Sequence, residues 1–187
     1  GTGDTGYQRW LFHTDGHNNY GESTWVLNNG TSVNMKGTNL VLYTSQYHGG
    51  TNQNANIGFV NDGIITTAGS DNIGWISLDE FGNTARQLYF HNRAGSMNFG
   101  GTRDILAYVM SPTAANGGWS FINDGTINLT GASQFGVIVS PTYSYNSAEL
   151  LLNAPIVISG TGTAGVVFSG WMDLDGGAPF SRSTADN

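Results

Sequence analysis

The sequence predicts an all-β chain wound as a right-handed parallel β-helix, a solenoid of about five coils of roughly 30 residues with three short strands each. Three observations predict it. Asn28, Asn61, Asn92, Asn123 and Asn153 recur at spacings of 33, 31, 31 and 30 residues, each closing a short apolar run and opening a turn. Gly37, Gly69, Gly101, Gly131 and Gly160 follow at spacings of 32, 32, 30 and 29. Between each Asn and its Gly, apolar residues fall at every second place, as in SMNFG, TINLTG and PIVISG, which is the pattern of a half-buried strand.

Taken along the chain, residues 1–23 form an N-terminal cap or loop segment. HTDGHNNYGES (13–23) is dense in side-chain donors and acceptors, and Tyr7, Trp10 and Leu11 are apolar enough to cover a first rung. The coils run from 24 to 170. One strand precedes each Asn, in STWVLN, NIGFVN, RQLYFHN, GWSFIN and AELLLN. The next aligns Val33, Ile65, Met97, Ile127 and Ile156, and two residues on Met35, Thr67, Phe99, Leu129 and Ile158, as two inward stacks. A third begins past each Gly, at Val41, Ile73, Ile105, Phe135 and Ala164.

One such coil cannot bury its inner face alone, so neighbours stack at roughly 4.8 Å and share a column of apolar side chains. Right-handed winding follows from the handedness of parallel crossovers. Stacked asparagine amides hydrogen-bond from rung to rung, and the glycine column is expected to supply positive φ at a corner. Residues 171–187, with Trp171, Met172 and Leu174, start a further coil or form the C-terminal end of a fragment. With Gly1 in place of Met, the chain reads as an excised or processed piece.

Composition bounds the function. Charged residues make up only 10% of the chain, and 28 glycines in 187 residues are about twice the usual share. Six Lys and Arg stand against 13 Asp and Glu, a net charge of −7 with Lys36 the sole lysine; nucleic acid is not expected as a partner, because phosphate binding relies on clustered cations. Without cysteine there is no disulfide framework, thiolate metal site or thiol chemistry.

Per-repeat insertions in solenoids project from a single face, often the binding face. Here they are TSQYHGGTNQNAN (44–56), SLDEFGNTARQ (77–87), SPTAANGG (111–118) and SPTYSYNSA (140–148), whose largest side chains are Tyr47, His48, Phe81, Arg86, Tyr143 and Tyr145. These six are the candidate ligand-binding residues, amphipathic groups among small polar neighbours suited to sugars or protein surfaces. The competing reading folds them back over the coil edge.

No catalytic residue, metal ligand or cofactor is assigned. His13, His17, His48 and His91 lack metal-ligand spacing. DLDGG, with Asp173 and Asp175, lacks the later glutamate of a calcium loop. GTGTAG (160–165) lacks the helix of a phosphate loop, and Asp71 and Arg103 are expected to be stacked neighbours in a surface ion pair. Asn29 and Asn128 match glycosylation acceptors, but both fall in the repeat framework.

The phrases NDGTINLTGASQFGVIVSP and LNAPIVISGTGTAGVVFSG resemble the passenger repeats of type V autotransporter adhesins, particularly the very large surface adhesins of fusobacteria, over about residues 24–170. The resemblance implies a non-catalytic passenger segment on the surface of a Gram-negative cell. Its partners would be host or bacterial surface proteins or glycans, and its anchor a translocator barrel in the outer membrane that this chain does not contain. No binding residue carries over from the family, whose motif is structural. The alternatives are a stalk or fibre, such as a phage tail fibre, a spike or a stacked filament, and a polysaccharide lyase or hydrolase.

Overall fold

The computed structural model describes residues 9–17, 23–48, 56–79, 86–110, 117–140, 147–168 and 181–182. Their strands, in chain order, begin with β1 (Arg9–His17), β2 (Ser23–Leu27), β3 (Ser32–Met35), β4 (Leu40–His48), β5 (Asn56–Asn61) and β6 (Ile64–Thr67). There follow β7 (Ile73–Asp79), β8 (Arg86–Asn92), β9 (Ser96–Phe99), β10 (Ile105–Met110), β11 (Gly117–Asn123) and β12 (Thr126–Leu129). The last are β13 (Phe135–Ser140), β14 (Ser147–Leu152), β15 (Ile156–Ile158), β16 (Ala164–Phe168) and β17 (Ser181–Arg182). No helix occurs among the described residues.

Pairing is parallel throughout, and each sheet collects every third strand. Sheet A is ordered β1-β4-β7-β10-β13-β16, sheet B β17-β14-β11-β8-β5-β2, and sheet C β15-β12-β9-β6-β3. The chain is thus an all-β parallel solenoid, a β-helix. Residues 9–17 supply the first strand of sheet A.

Both predicted inward columns are in register across sheet C. All their members are buried except Val33 and Ile158, which sit at the two ends. Sheet B adds a column of Trp25, Phe59, Phe90, Phe121 and Leu150. Within it Phe59, Phe90 and Phe121 stack nearly parallel, with centroids 5.2 and 5.8 Å apart, because in-register parallel strands set like side chains directly above one another.

In sheet A, Val41, Ile73, Ile105, Phe135 and Ala164 are aligned, but this column does not enter the central core. Val41 and Ile73 join Ile76 in a separate cluster flanked by Ile105 and Tyr108. Pairing lapses at Leu42 and Gly74, a bulge-like bend that turns two successive residues, Leu42 and Tyr43, into the core.

The corner from sheet B to sheet C carries the asparagine ladder, with three members rather than five. Asn61 donates to Asn92 at 2.8 Å, Asn92 to Asn123 at 2.7 Å, and Asn123 to the Ala154 carbonyl at 2.8 Å. Asn28 and Asn153 stand outside it and are exposed, because the register pairs Leu27 with Asn61 and Leu152 with Asn123. The end rungs therefore place leucine where the inner rungs place asparagine. An amide there would face no further amide, whereas Leu27 and Leu152 pack on the core.

The glycine column is stacked as expected, for a different reason. None of its five members has positive φ. A Cβ on Gly69, Gly131 or Gly160 would instead fall 1.7, 1.7 and 1.8 Å from the carbonyl oxygen of the column glycine one rung earlier. The left-handed residues come two positions later, at Asn39, Asp71, Arg103 and Ser133 with φ of 56–57°, and at Gly162 with φ of 67°.

Candidate functional site

Two of the three corners are closed by short, bonded turns. The third, from sheet A to sheet B, is where the connections 18–22, 49–55, 80–85, 111–116, 141–146 and 169–180 leave one strand and return to another; they lie outside the described residues. The strand ends flanking them define the candidate site. Tyr47 is paired in register with Gly16 and Asp79, His48 with His17, and Arg86 with Gly117. The strand ends at this corner thus include Tyr47 and His48, which close β4 of sheet A, and Arg86, which opens β8 of sheet B on a later rung. Phe81, Tyr143 and Tyr145 lie outside the described residues, as do Asp173 and Asp175 of the calcium-like fragment.

The His17–His48 register pair is invisible to motif spacing, which sees two histidines 31 residues apart. Two imidazoles supply at most half of a tetrahedral zinc shell. Among the described residues no group of three or more His, Asp or Glu gathers to hold a metal.

Charged side chains at the other corners bind one another between rungs. Arg93 Nε donates to Asp62 Oδ1 at 2.9 Å, and its Nη2 to Oδ2 at 2.5 Å. Arg103 grips Asp71 with two contacts of 2.7 Å, the pair the sequence predicts. His91 Nε2 lies 2.6 Å from Asp124 Oδ2, and Asn153 Nδ2 donates to Asp124 Oδ1 at 2.6 Å. Hydrogen bonds from Arg93 and Arg103 hold Asp62 and Asp71 below the usual carboxylate range; Asn153, then His91, does the same for Asp124. Each of these contacts ties one coil to the next.

One surface aromatic escapes the sequence reading. Tyr89 lies across Gly58, where a Cβ would fall 2.2 Å from the ring, and its hydroxyl meets Thr24 Oγ1 at 2.5 Å. The signal was a glycine in the strand NIGFVN set one repeat before RQLYFHN, an aromatic covering the gap a strand glycine leaves. Fold and corner together define a parallel β-solenoid with its longer connections along one edge. No protein-family model, curated protein or solved structure matches the chain.

Proposed function

We propose that this chain is a non-catalytic segment of a cell-surface adhesin, a right-handed β-helix of about five coils with three strands each, which binds a surface protein or glycan through the connections at its sheet A to sheet B corner. The observation carrying this reading is that corner. The other two corners repeat short bonded turns, whereas Tyr47, His48 and Arg86 stand at strand ends beside connections whose length and residue type vary from rung to rung. Tyr and His among small polar residues contribute amphipathic contact area at low entropic cost. The autotransporter passenger resemblance supports display beyond the outer membrane, held by a barrel outside this sequence.

A stalk or fibre is the second reading, favoured by the exposed apolar residues of the outer rungs, Trp25, Val26, Val157 and Ile158, which would suit end-on stacking. The lyase or hydrolase reading draws less support, because the described carboxylates Asp62, Asp71, Asp104, Asp124 and Glu149 are each engaged by a neighbour. The experiment pairs a glycan array and cell-binding assay with a reducing-sugar assay on one preparation. Binding without sugar release supports the adhesin. Turnover abolished by changing Asp79 or Glu80 would replace it with an enzyme, and no binding would leave a stalk.

A further inference from the structure

The turn from sheet B to sheet C is longest on the first rung. Four residues, Asn28 to Thr31, join β2 to β3, where two suffice between β5 and β6 and between β11 and β12. This longer turn is pinned only at its ends: the Thr31 N–H and hydroxyl both donate to the Asn28 carbonyl, at 3.1 and 2.5 Å. Asn29 and Gly30, between them, are exposed, and among the described residues nothing bonds the Asn29 amide or accepts from the Gly30 N–H. Gly30 has a φ of 83°, and a Cβ built there would meet no atom within 4 Å.

An asparagine followed by glycine carries its own electrophile and nucleophile. The side-chain carbonyl carbon of the first can reach the backbone nitrogen of the second to close a five-membered ring, and glycine sets no Cβ in the way. A nitrogen already bonded, or a backbone that cannot turn, prevents the closure. The related pairs Asp62–Gly63 and Asp124–Gly125, one and three rungs on, are held in both respects. The Gly63 N–H donates to Asn61 Oδ1 at 3.1 Å and the Gly125 N–H to the Asn92 carbonyl at 3.0 Å. Arg93 grips the Asp62 carboxylate, and His91 and Asn153 engage that of Asp124. A Cβ on Gly63 would fall 2.7 Å from the Thr31 carbonyl oxygen, and one on Gly125 2.3 Å from that of Gly95, so the preceding rung leaves these turns no room to re-form.

We propose that Asn29 is a self-modifying site, which deamidates through a cyclic imide with Gly30 in the folded protein while the turns at Asp62 and Asp124 stay inert. The Gly30 nitrogen gives its proton to base and attacks Asn29 Cγ. The new N–C bond closes the ring, the Cγ–Nδ2 bond breaks, and ammonia leaves carrying that proton. Water then opens the ring. Addition at Cγ restores the main chain as aspartate, whereas addition at the main-chain carbonyl carbon leaves the chain running through the side chain as isoaspartate. The sum is one water consumed and one ammonia released, and the net charge of −7 becomes one unit more negative.

Peptide mapping of the full chain, aged in mildly alkaline buffer both folded and in denaturant, tests this. Asn29 should convert to aspartate and isoaspartate in the folded chain at a rate within roughly threefold of that in denaturant, while isoaspartate at Asp62 and Asp124 should form at least about tenfold more slowly folded than unfolded. Asn116, of the second Asn–Gly pair, lies outside the described residues and is scored by its own peptide. An Asn29 that keeps its amide in the folded chain but loses it in denaturant would overturn the proposal. Conversion of Asp62 and Asp124 equally fast in both states would overturn it too.

Discussion

Asn61 donates from Nδ2 to Oδ1 of Asn92 at 2.8 Å, deep in the corner between sheets B and C, where both side chains are shut off from solvent. Asn61 Oδ1 also accepts from the Gly63 N–H at 3.1 Å. Asn61 therefore closes its own turn while tethering the next rung, and removing Asn92, bonded to an amide on each side, leaves both partners unsatisfied.

Asn92→Ala should accordingly cost roughly 2 to 4 kcal/mol, a cavity plus orphaned groups on Asn61 and Asn123. Asn28→Ala, at an exposed turn outside the ladder, should change stability by no more than about 0.5 kcal/mol. Denaturant melts of the two variants check the contrast. Equal losses would mean that the ladder includes Asn28 after all.

That contrast also marks how far the sequence could be read. The columns through Ile127 and Leu129 were legible because inward apolar residues repeat by type at a nearly constant interval. The ladder ends were not: Asn153 follows Asn123 by 30 residues, while the strands themselves step from Asn123 to Leu152, and identity outweighed register. The polar column of Asn72, Asp104, Gln134 and Thr163, three residues past Gly69, Gly101, Gly131 and Gly160, was missed for the opposite reason, since its members share a position but no residue type. The candidate site was legible only as a corner. Strand register adds the His17–His48 neighbours, which no linear motif contains.

The glycine column makes a steric prediction. Gly131→Ala would set a methyl 1.7 Å from the Gly101 carbonyl oxygen, forcing two rungs apart at a cost of about 3 kcal/mol or more. Gly100→Ala, whose nearest neighbour atom is the Thr67 carbonyl at 3.1 Å, should cost about 1 kcal/mol at most. Thermal melts decide it, and similar losses would show that the column is not close-packed.

The surface pair Arg103–Asp71 should respond to pH. Arg103 holds the folded-state pKa of Asp71 down, so the pair contributes above the unfolded carboxylate value and its contribution is lost as pH falls through the folded one. Asp71→Asn keeps a residue that tolerates the φ of 57° found there and should melt slightly below the parent near neutral pH. The deficit should shrink in acid and in high salt. A deficit that grows on acidification would contradict the assignment.

The most direct test of the functional account separates binding from folding at the sheet A to sheet B corner. A variant with Tyr47, His48, Tyr143 and Tyr145 all changed to Ala should lose about tenfold or more in affinity for a cell or glycan ligand, because large aromatic contacts dominate such interfaces. Its melting temperature should stay within about 2 °C of the parent if the four act, as proposed, in ligand contact and not in the fold. Undiminished binding by a variant that melts like the parent would contradict the claim that this corner is the adhesive surface.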